Sequence, residues 1–260
     1  MTYLYLIIFA FGITFGSFLN CAIHRLKTGE NLRGSSYCPA CRHKLSPLDL
    51  VPLFSFFFLK GGCRYCDKKI SFQYPAVELI TGLLFLSVFI SQPLEANLFT
   101  LGSLVSVLTI TLFLVILFVY DLKHYIIPNR VIYPAIVFAF LFQIFENNLS
   151  ITPDLGLALL SGLFSFLFFL GIYLATKGKG LGFGDVRYAA FMGLFLGFPE
   201  VLVGLFSSFL LGAFIGLVLI VSGLKSRKDM IPFGPFLVIG TFFAFFFGEL
   251  IIDFYLNLLI

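Results

Sequence analysis

Long apolar blocks separated by polar breaks run the length of this chain. Eight of them are candidate membrane-spanning helices: roughly residues 3–23, 75–92, 98–119, 131–145, 155–176, 186–198, 200–222 and 235–257. A helix needs about 20 mostly apolar residues to cross a bilayer, and glycine- or proline-interrupted helices cross with fewer. The sixth block is short and glycine-rich. The polar breaks alternate in charge. The first, third, fifth and seventh hold Arg25 to Lys69, Lys123 and Arg130, Lys177 to Arg187, and Lys225 to Lys228, which together account for all 17 Lys and Arg residues. The second, fourth and sixth carry Glu95, Glu146, Asp154 and Glu200 instead. The positive-inside rule then places the odd breaks in the cytoplasm and both termini outside. A span too many or too few would destroy this alternation.

Composition supports the same class. Hydrophobic residues make up 60% of the chain and charged residues 12%, and the mean hydropathy is +1.04. That excludes a soluble domain and gives an all-α polytopic membrane protein of about eight helices whose partner is the lipid bilayer. The net charge of +4 therefore marks orientation, and no nucleic-acid partner is expected. The first block lacks a basic segment before it, and Arg25 follows it, so it reads as a retained anchor and not as a cleaved signal. The 37 phenylalanines read as lipid-facing material. Gly12 with Gly16, Gly193 with Gly197 and Gly212 with Gly216 read as close helix packing and give no sign of oligomerisation.

The expected organisation is a first helix at 1–23, a cytoplasmic insert at 24–74, and a membrane domain at 75–260. The insert contains Cys38-Pro-Ala-Cys41 and Cys63-Arg-Tyr-Cys66, separated by residues 42–62. Two such knuckles converge four sulfurs on one ion, so a structural zinc site of Cys38, Cys41, Cys63 and Cys66 is expected. In a reducing cytoplasm disulfides are the poorer use of these thiols. An insert this small has little core of its own, and a metal would supply much of its stability. Cys21 reads as a small packing residue.

Most acidic residues fall in polar breaks, Asp49 among them, and read as surface charge. Asp121 and Asp185 do not. Each stands where an apolar block meets the same side of the membrane, beside Pro128 in one case and Gly182 and Gly184 in the other. An intramembrane carboxylate is costly without water, a partner or a job. Taken singly, Asp121 caps its helix or pairs with Lys123 or Arg130, and Asp185 caps the helix that follows. Taken together, beside the alternating Gly178, Gly180, Gly182 and Gly184, they read as an aspartyl dyad with a backbone free to adopt unusual conformations. One carboxyl takes a proton from water while the other donates one, and the close pair shares a proton. The glycine run lacks the phosphate-loop and dinucleotide signatures, and no serine-hydrolase or zinc-protease motif is present. Glu78 near a helix start is explained by the helix dipole, and Ser17 and Asn20 by interhelical hydrogen bonds.

The same residues resemble the bifunctional prepilin peptidases, the type IV leader peptidase and N-methyltransferase family. The likeness runs through Gly16-Ser-Phe-Leu-Asn20, the first knuckle, Asp49-Leu-Val-Pro52, the second knuckle and Tyr74-Pro-Ala-Val-Glu78. It continues with Asp121 and Ile127-Pro128-Asn129, Gly182-Phe-Gly-Asp185 and Ile231-Pro-Phe-Gly-Pro235. The resemblance implies an eight-helix aspartyl protease of the bacterial inner membrane, with its active site facing the cytoplasm. It cuts the basic leader from type IV prepilins or pseudopilins after a glycine. It then methylates the new N-terminus with S-adenosylmethionine. By resemblance the catalytic pair is Asp121 and Asp185, the active-site loop holds Gly182 and Gly184, the metal ligands are the four cysteines, and Glu78 serves methylation. Arg187 departs from the family's usual lysine but keeps the charge. Competing readings are a presenilin- or preflagellin-peptidase-like protease without methyl transfer, and a transporter that uses the membrane carboxylates. The four-cysteine insert argues against the first, and loss of prepilin processing in a folded Asp121→Asn or Asp185→Asn variant would exclude the second.

Overall fold

The computed structural model describes residues 2–92, 98–146, 153–226 and 229–259, so Glu95, Arg227 and Lys228 lie outside the described residues. All regular structure among them is helical, apart from two isolated antiparallel bridges, Tyr37 with Lys44 and Gly62 with Lys69. The helices are α1 (Thr2–Thr28), α2 (Phe54–Phe58), α3 (Gln73–Ser91), α4 (Leu98–His124), α5 (Asn129–Glu146), α6 (Pro153–Ala175), α7 (Phe183–Leu196), α8 (Glu200–Val221) and α9 (Gly234–Leu259). Among the described residues, 7 helices are long and apolar enough to cross a membrane. The multi-pass class expected from the apolar blocks is therefore present.

The remaining predicted span is α7, which has 14 residues. At 1.5 Å per residue it is about 21 Å long, short of the roughly 30 Å hydrocarbon core. It needs no lipid contact to be stable. Val186, Tyr188, Ala189, Phe191 and Met192 are fully buried, and α5, α6, α8 and α9 all pack on it. Its C-terminal end is answered by protein. Gln143 of α5 donates through Nε2 to the carbonyls of Leu194 (2.9 Å) and Phe195 (3.1 Å), so carbonyls left free at a helix end are satisfied without water. Inside, the Tyr188 hydroxyl meets Thr241 Oγ1 at 2.9 Å.

The chain divides into two compact units, residues 1–115 and 116–260, with the break inside α4. In the first unit α1 and α3 approach along a seam of glycines. A Cβ on Gly12 would stand 2.8 Å from the Gly82 Cα, and one on Gly16 would stand 2.7 Å from the Glu78 Cα. Pro75 sits in the first turn of α3, where its missing N–H costs nothing. Hydroxyls along the helices turn back on their own backbone, as Thr81 does to the Val77 carbonyl at 2.7 Å. In the second unit α6 and α7 meet backbone to backbone, since a Cβ on Gly193 would collide with the Ser161 carbonyl.

Gly197, read from its spacing as a packing partner of Gly193, has a different role. It has φ +75°, nothing lies within 4 Å of a Cβ built there, and its amide closes α7 on the Gly193 carbonyl at 3.0 Å. It ends the helix in a positive-φ, extended-ψ conformation that is open essentially to glycine alone.

Helix-to-helix contact at Gly193 predicts that Gly193→Val lowers stability by about 1–3 kcal/mol through overpacking. Gly156→Ala, where the added Cβ meets nothing within 4 Å, should leave it unchanged or raise it by up to about 1 kcal/mol. Thermal unfolding in detergent micelles checks both.

Candidate functional site

Asp121 lies in the last turn of α4, which continues past the expected end at residue 119 to His124. The helix is closed by the Tyr125 amide on the Asp121 carbonyl at 2.8 Å. The Asp121 side chain is 4% exposed and forms no ion pair with Lys123 or Arg130. Its partner comes from 113 positions away: the Gly234 amide donates to Oδ2 at 3.0 Å. A Cβ on Gly234 would lie 2.5 Å from that same oxygen, so only glycine lets the backbone come this close.

Asp185 is 8% exposed. Helix α7 begins at Phe183, earlier than the apolar pattern suggests, so Asp185 is the third helical residue and Gly182 the cap. The Gly182 amide donates to Asp185 Oδ2 at 3.0 Å, and the Asp185 amide returns to the Gly182 carbonyl at 3.0 Å. Each aspartate thus has its Oδ2 fixed by one glycine amide. Among the described residues, neither Oδ1 accepts a hydrogen bond. Both residues belong to the second unit.

The glycines of the loop work differently from the expectation. Of Gly178, Gly180, Gly182 and Gly184, only Gly178 is left-handed, with φ +71°. Gly182 is extended at φ −78°. Gly184 is required by packing: a Cβ there would stand 2.9 Å from the Ile127 Cβ. Ile127 is buried in the turn between α4 and α5, so this contact seats the stretch after Asp121 on the stretch that carries Asp185. Arg187 reinforces the junction. Its guanidinium bonds Asn129 Oδ1 and lies over the Tyr133 and Phe183 rings at 5.6 and 5.2 Å.

In the first unit the two knuckles repeat one geometry. The Cys38 amide donates to the His43 carbonyl (2.9 Å) and the Arg42 amide to the Cys38 carbonyl (2.8 Å); Cys63, Lys68 and Asp67 repeat the pattern at 3.0 and 2.9 Å. Arg42 and Asp67 make the turns with φ 57° and 54°. The four Sγ atoms lie within 4.8 Å of one another. An all-sulfur set of this size suits a thiophilic ion held tetrahedrally. Burial opposes the Cys38 thiolate, yet the Cys41 and Ala40 amides outweigh it and bring the thiol down to about 7. The Lys68 amide pulls Cys66 down, but burial and the three neighbouring sulfurs push it up to about 12. A bound cation removes that mutual opposition.

Near the knuckles, Asp49 is a clamp and not the surface charge expected of it. Its carboxylate is 3% exposed and pairs with Arg64 Nε at 2.8 Å. It also accepts from the Ser46 amide (3.0 Å), the Ser46 hydroxyl (2.8 Å) and the Tyr65 hydroxyl (3.1 Å). Burial alone would raise its pKa; the Ser46 hydroxyl and amide, Tyr65 and Arg64 together hold it below the ordinary value.

The turn that Asp49 anchors ends at Leu53, whose amide donates to Glu78 Oε2 at 2.7 Å. Glu78 is buried. Beside it, Asn20 donates to the Tyr74 carbonyl at 3.0 Å and accepts from Gln73 at 3.2 Å, the interhelical role expected of it. Gln73 Oε1 is buried with no hydrogen-bond partner among the described residues.

Gly234, Leu53 and Gln73 carried no assignment in the sequence. The one available signal was the proline–glycine–proline pattern of Ile231-Pro-Phe-Gly-Pro235, which marks a fixed backbone but not what it touches.

Residues 10–92 match the model of the bacterial peptidase A24 N-terminal domain, and residues 108–217 that of the type IV leader peptidase family. A Bacillus subtilis prepilin leader peptidase/N-methyltransferase is 33% identical over 253 residues, covering 97% of this chain and 98% of the relative. The enzyme of the same name from Aeromonas hydrophila is 32% identical over 280 residues, covering 96% and 93%. That of Legionella pneumophila is 29% identical over 281 residues, covering 98% and 95%. No solved structure matches.

The sulfur cluster predicts that the purified protein carries one tightly held metal ion. Elemental mass spectrometry should show that ion lost in Cys63→Ser, with a lower melting temperature, since the insert relies on the metal for order.

Proposed function

As the chain belongs to the type IV leader peptidase family, we propose that it is a bifunctional prepilin peptidase and N-methyltransferase. It cleaves the basic leader of a type IV prepilin or pseudopilin after a glycine and then methylates the exposed amine. The reading rests on one observation above the others: two buried aspartates in one unit, each with a single oxygen tied to a glycine amide and the other oxygen without a partner among the described residues.

In cleavage, one of Asp121 and Asp185 enters as carboxylate and the other as carboxylic acid, because close carboxyls share a proton. The carboxylate takes a proton from water as the water oxygen attacks the scissile carbonyl. The acid gives its proton to the carbonyl oxygen. The C–N bond of the tetrahedral intermediate then breaks: the proton gained from water passes to the leaving nitrogen, and one hydroxyl of the intermediate returns its proton to the other aspartate as the carbonyl re-forms. The Gly182 and Gly234 amides keep both carboxyls oriented, so no reorganisation is needed as charge moves. Gly184 holds the two catalytic segments together through Ile127.

The insert at 24–74, with Glu78 on the following helix, serves methyl transfer, and the helices within 75–260 carry cleavage. Cys38, Cys41, Cys63 and Cys66 hold a structural zinc ion: four thiolates leave it no open position. S-adenosylmethionine supplies the methyl group when bound. The buried Glu78 carboxylate and the unpaired Gln73 Oε1 fit a cationic donor or a substrate ammonium. Glu78 orients the new amine and takes its proton. The basic breaks orient the chain in the inner membrane with its catalytic residues toward the cytoplasm and both termini outside. A prepilin whose basic leader stays in the cytoplasm presents its cleavage point at that surface.

The test is an assay of a prepilin with a basic leader, with and without S-adenosylmethionine, scored by product mass. Asp121→Asn and Asp185→Asn should each slow cleavage by about 10²–10⁴-fold, the usual worth of a positioned proton-transfer group. Gly234→Ala displaces the Asp121 carboxyl and should cost about 10²-fold with substrate binding little changed. Glu78→Gln should leave cleavage intact while methylated product falls. Full cleavage in either aspartate variant removes the dyad, and unchanged methylation removes Glu78.

A further inference from the structure

The insert between α1 and α3 is polar in its knuckles but not throughout. Residues 50–59 read Leu-Val-Pro-Leu-Phe-Ser-Phe-Phe-Phe-Leu, and α2 forms within them. Five residues cannot hold a helix alone; side-chain contacts hold this one. Phe56 turns inward, meeting the Phe72 ring edge-on at 6.3 Å, with the left-handed Gly61 closing beneath it. Phe54, Phe57 and Phe58, at helical spacings of three and four, share the other face. That face is bare: Phe57 is 72% and Phe58 82% exposed, with Phe54, Leu48 and Phe72 exposed beside them. A patch of this kind on a water-facing domain marks something that covers it.

We propose that α2 is an interfacial anchor that lays the Phe54, Phe57 and Phe58 face into the bilayer surface, docking the four-cysteine insert on the membrane. The position of α2 selects this occupant. Phe56 ties it to Phe72, the residue directly before α3, so α2 stands at the level where a spanning helix begins. The exposed stripe of α3 below, with Leu79, Ile80 and Leu83, continues the apolar surface into the hydrocarbon. Lys60 lies two residues past the end of α2, with Lys68 and Lys69 close behind, the arrangement by which an interfacial segment pairs buried apolar side chains with cations for anionic headgroups. Because Asp49 fastens Arg64 and Tyr65 to the turn preceding α2, docking would fix the height of the knuckles above the lipid.

The inference is independent of the catalytic assignments, and the absence of tryptophan from the chain permits a clean test. Phe57→Trp and Phe54→Trp each create a single reporter in the full-length protein, reconstituted in vesicles containing anionic lipid. Lys44→Trp serves as the control in the same insert. An unchanged melting temperature in detergent micelles establishes that each variant is folded. The expected result is blue-shifted emission at positions 54 and 57, with intensity lost to lipids brominated in the upper acyl chain and not to aqueous iodide. The control should show the reverse. Iodide quenching at 54 and 57 without bromolipid quenching overturns the proposal. So does iodide protection that appears only when prepilin is added, or only as protein density in the vesicles rises, since these assign the face to substrate or to a second copy. Equal bromolipid quenching at position 44 also overturns it.

Discussion

A polar atom shut away from water must find a specific partner, and in the membrane segments of this chain that partner is repeatedly a backbone group. The Gly234 amide answers Asp121, the Gly182 amide answers Asp185, and the Leu53 amide answers Glu78. In the opposite sense, Gln143 answers the carbonyls that end α7. Backbone partners have a consequence that side-chain partners lack. They do not titrate or swing away, so a carboxyl held by one keeps its place while its proton moves. Each carboxyl of the proposed dyad has one oxygen held this way and the other left for chemistry.

Glycine is what makes these approaches possible, and through closeness more often than through unusual torsions. Gly234 and Gly184 matter because a Cβ would occupy the space of the Asp121 carboxylate or of Ile127. Gly193, Gly12 and Gly16 bring helix backbones together. Close packing around α7 explains how 14 residues serve in the middle of a membrane domain: the helix is solvated by protein. A short, buried helix whose final carbonyls are answered by Gln143 is a rigid support for Asp185, in keeping with sites that need their groups held within fractions of an ångström.

Much of this was legible in the sequence, and the parts that were not share a cause. Apolar block length gave the spanning helices to within a few residues: 75–92 became Gln73–Ser91 and 235–257 became Gly234–Leu259. The cysteine spacing gave the four-sulfur cluster, because each knuckle is local and its geometry follows from a handful of neighbouring residues. The aspartates stood out because charge is rare in apolar runs. What spacing could not reveal were contacts made by main-chain atoms across long separations. Nothing about Gly234 shows that its amide reaches Asp121, and nothing about Leu53 points to Glu78. The role of Asp49 is hidden for a related reason. A charge in a polar loop resembles surface until Arg64, Tyr65 and Ser46 are seen closing around it. Gly197 shows the limit of small-residue spacing, which does not separate a packing glycine from one that ends a helix.

The central claim is that Asp121 and Asp185 act as one unit on one water. A double-mutant cycle on prepilin cleavage tests it most directly, comparing Asp121→Asn, Asp185→Asn and the double variant in single-turnover experiments. Groups that share one proton and one water are grossly non-additive. The account predicts a double variant no slower than the slower single one. Losses that multiply, or a single variant that cleaves at the parent rate, would contradict it.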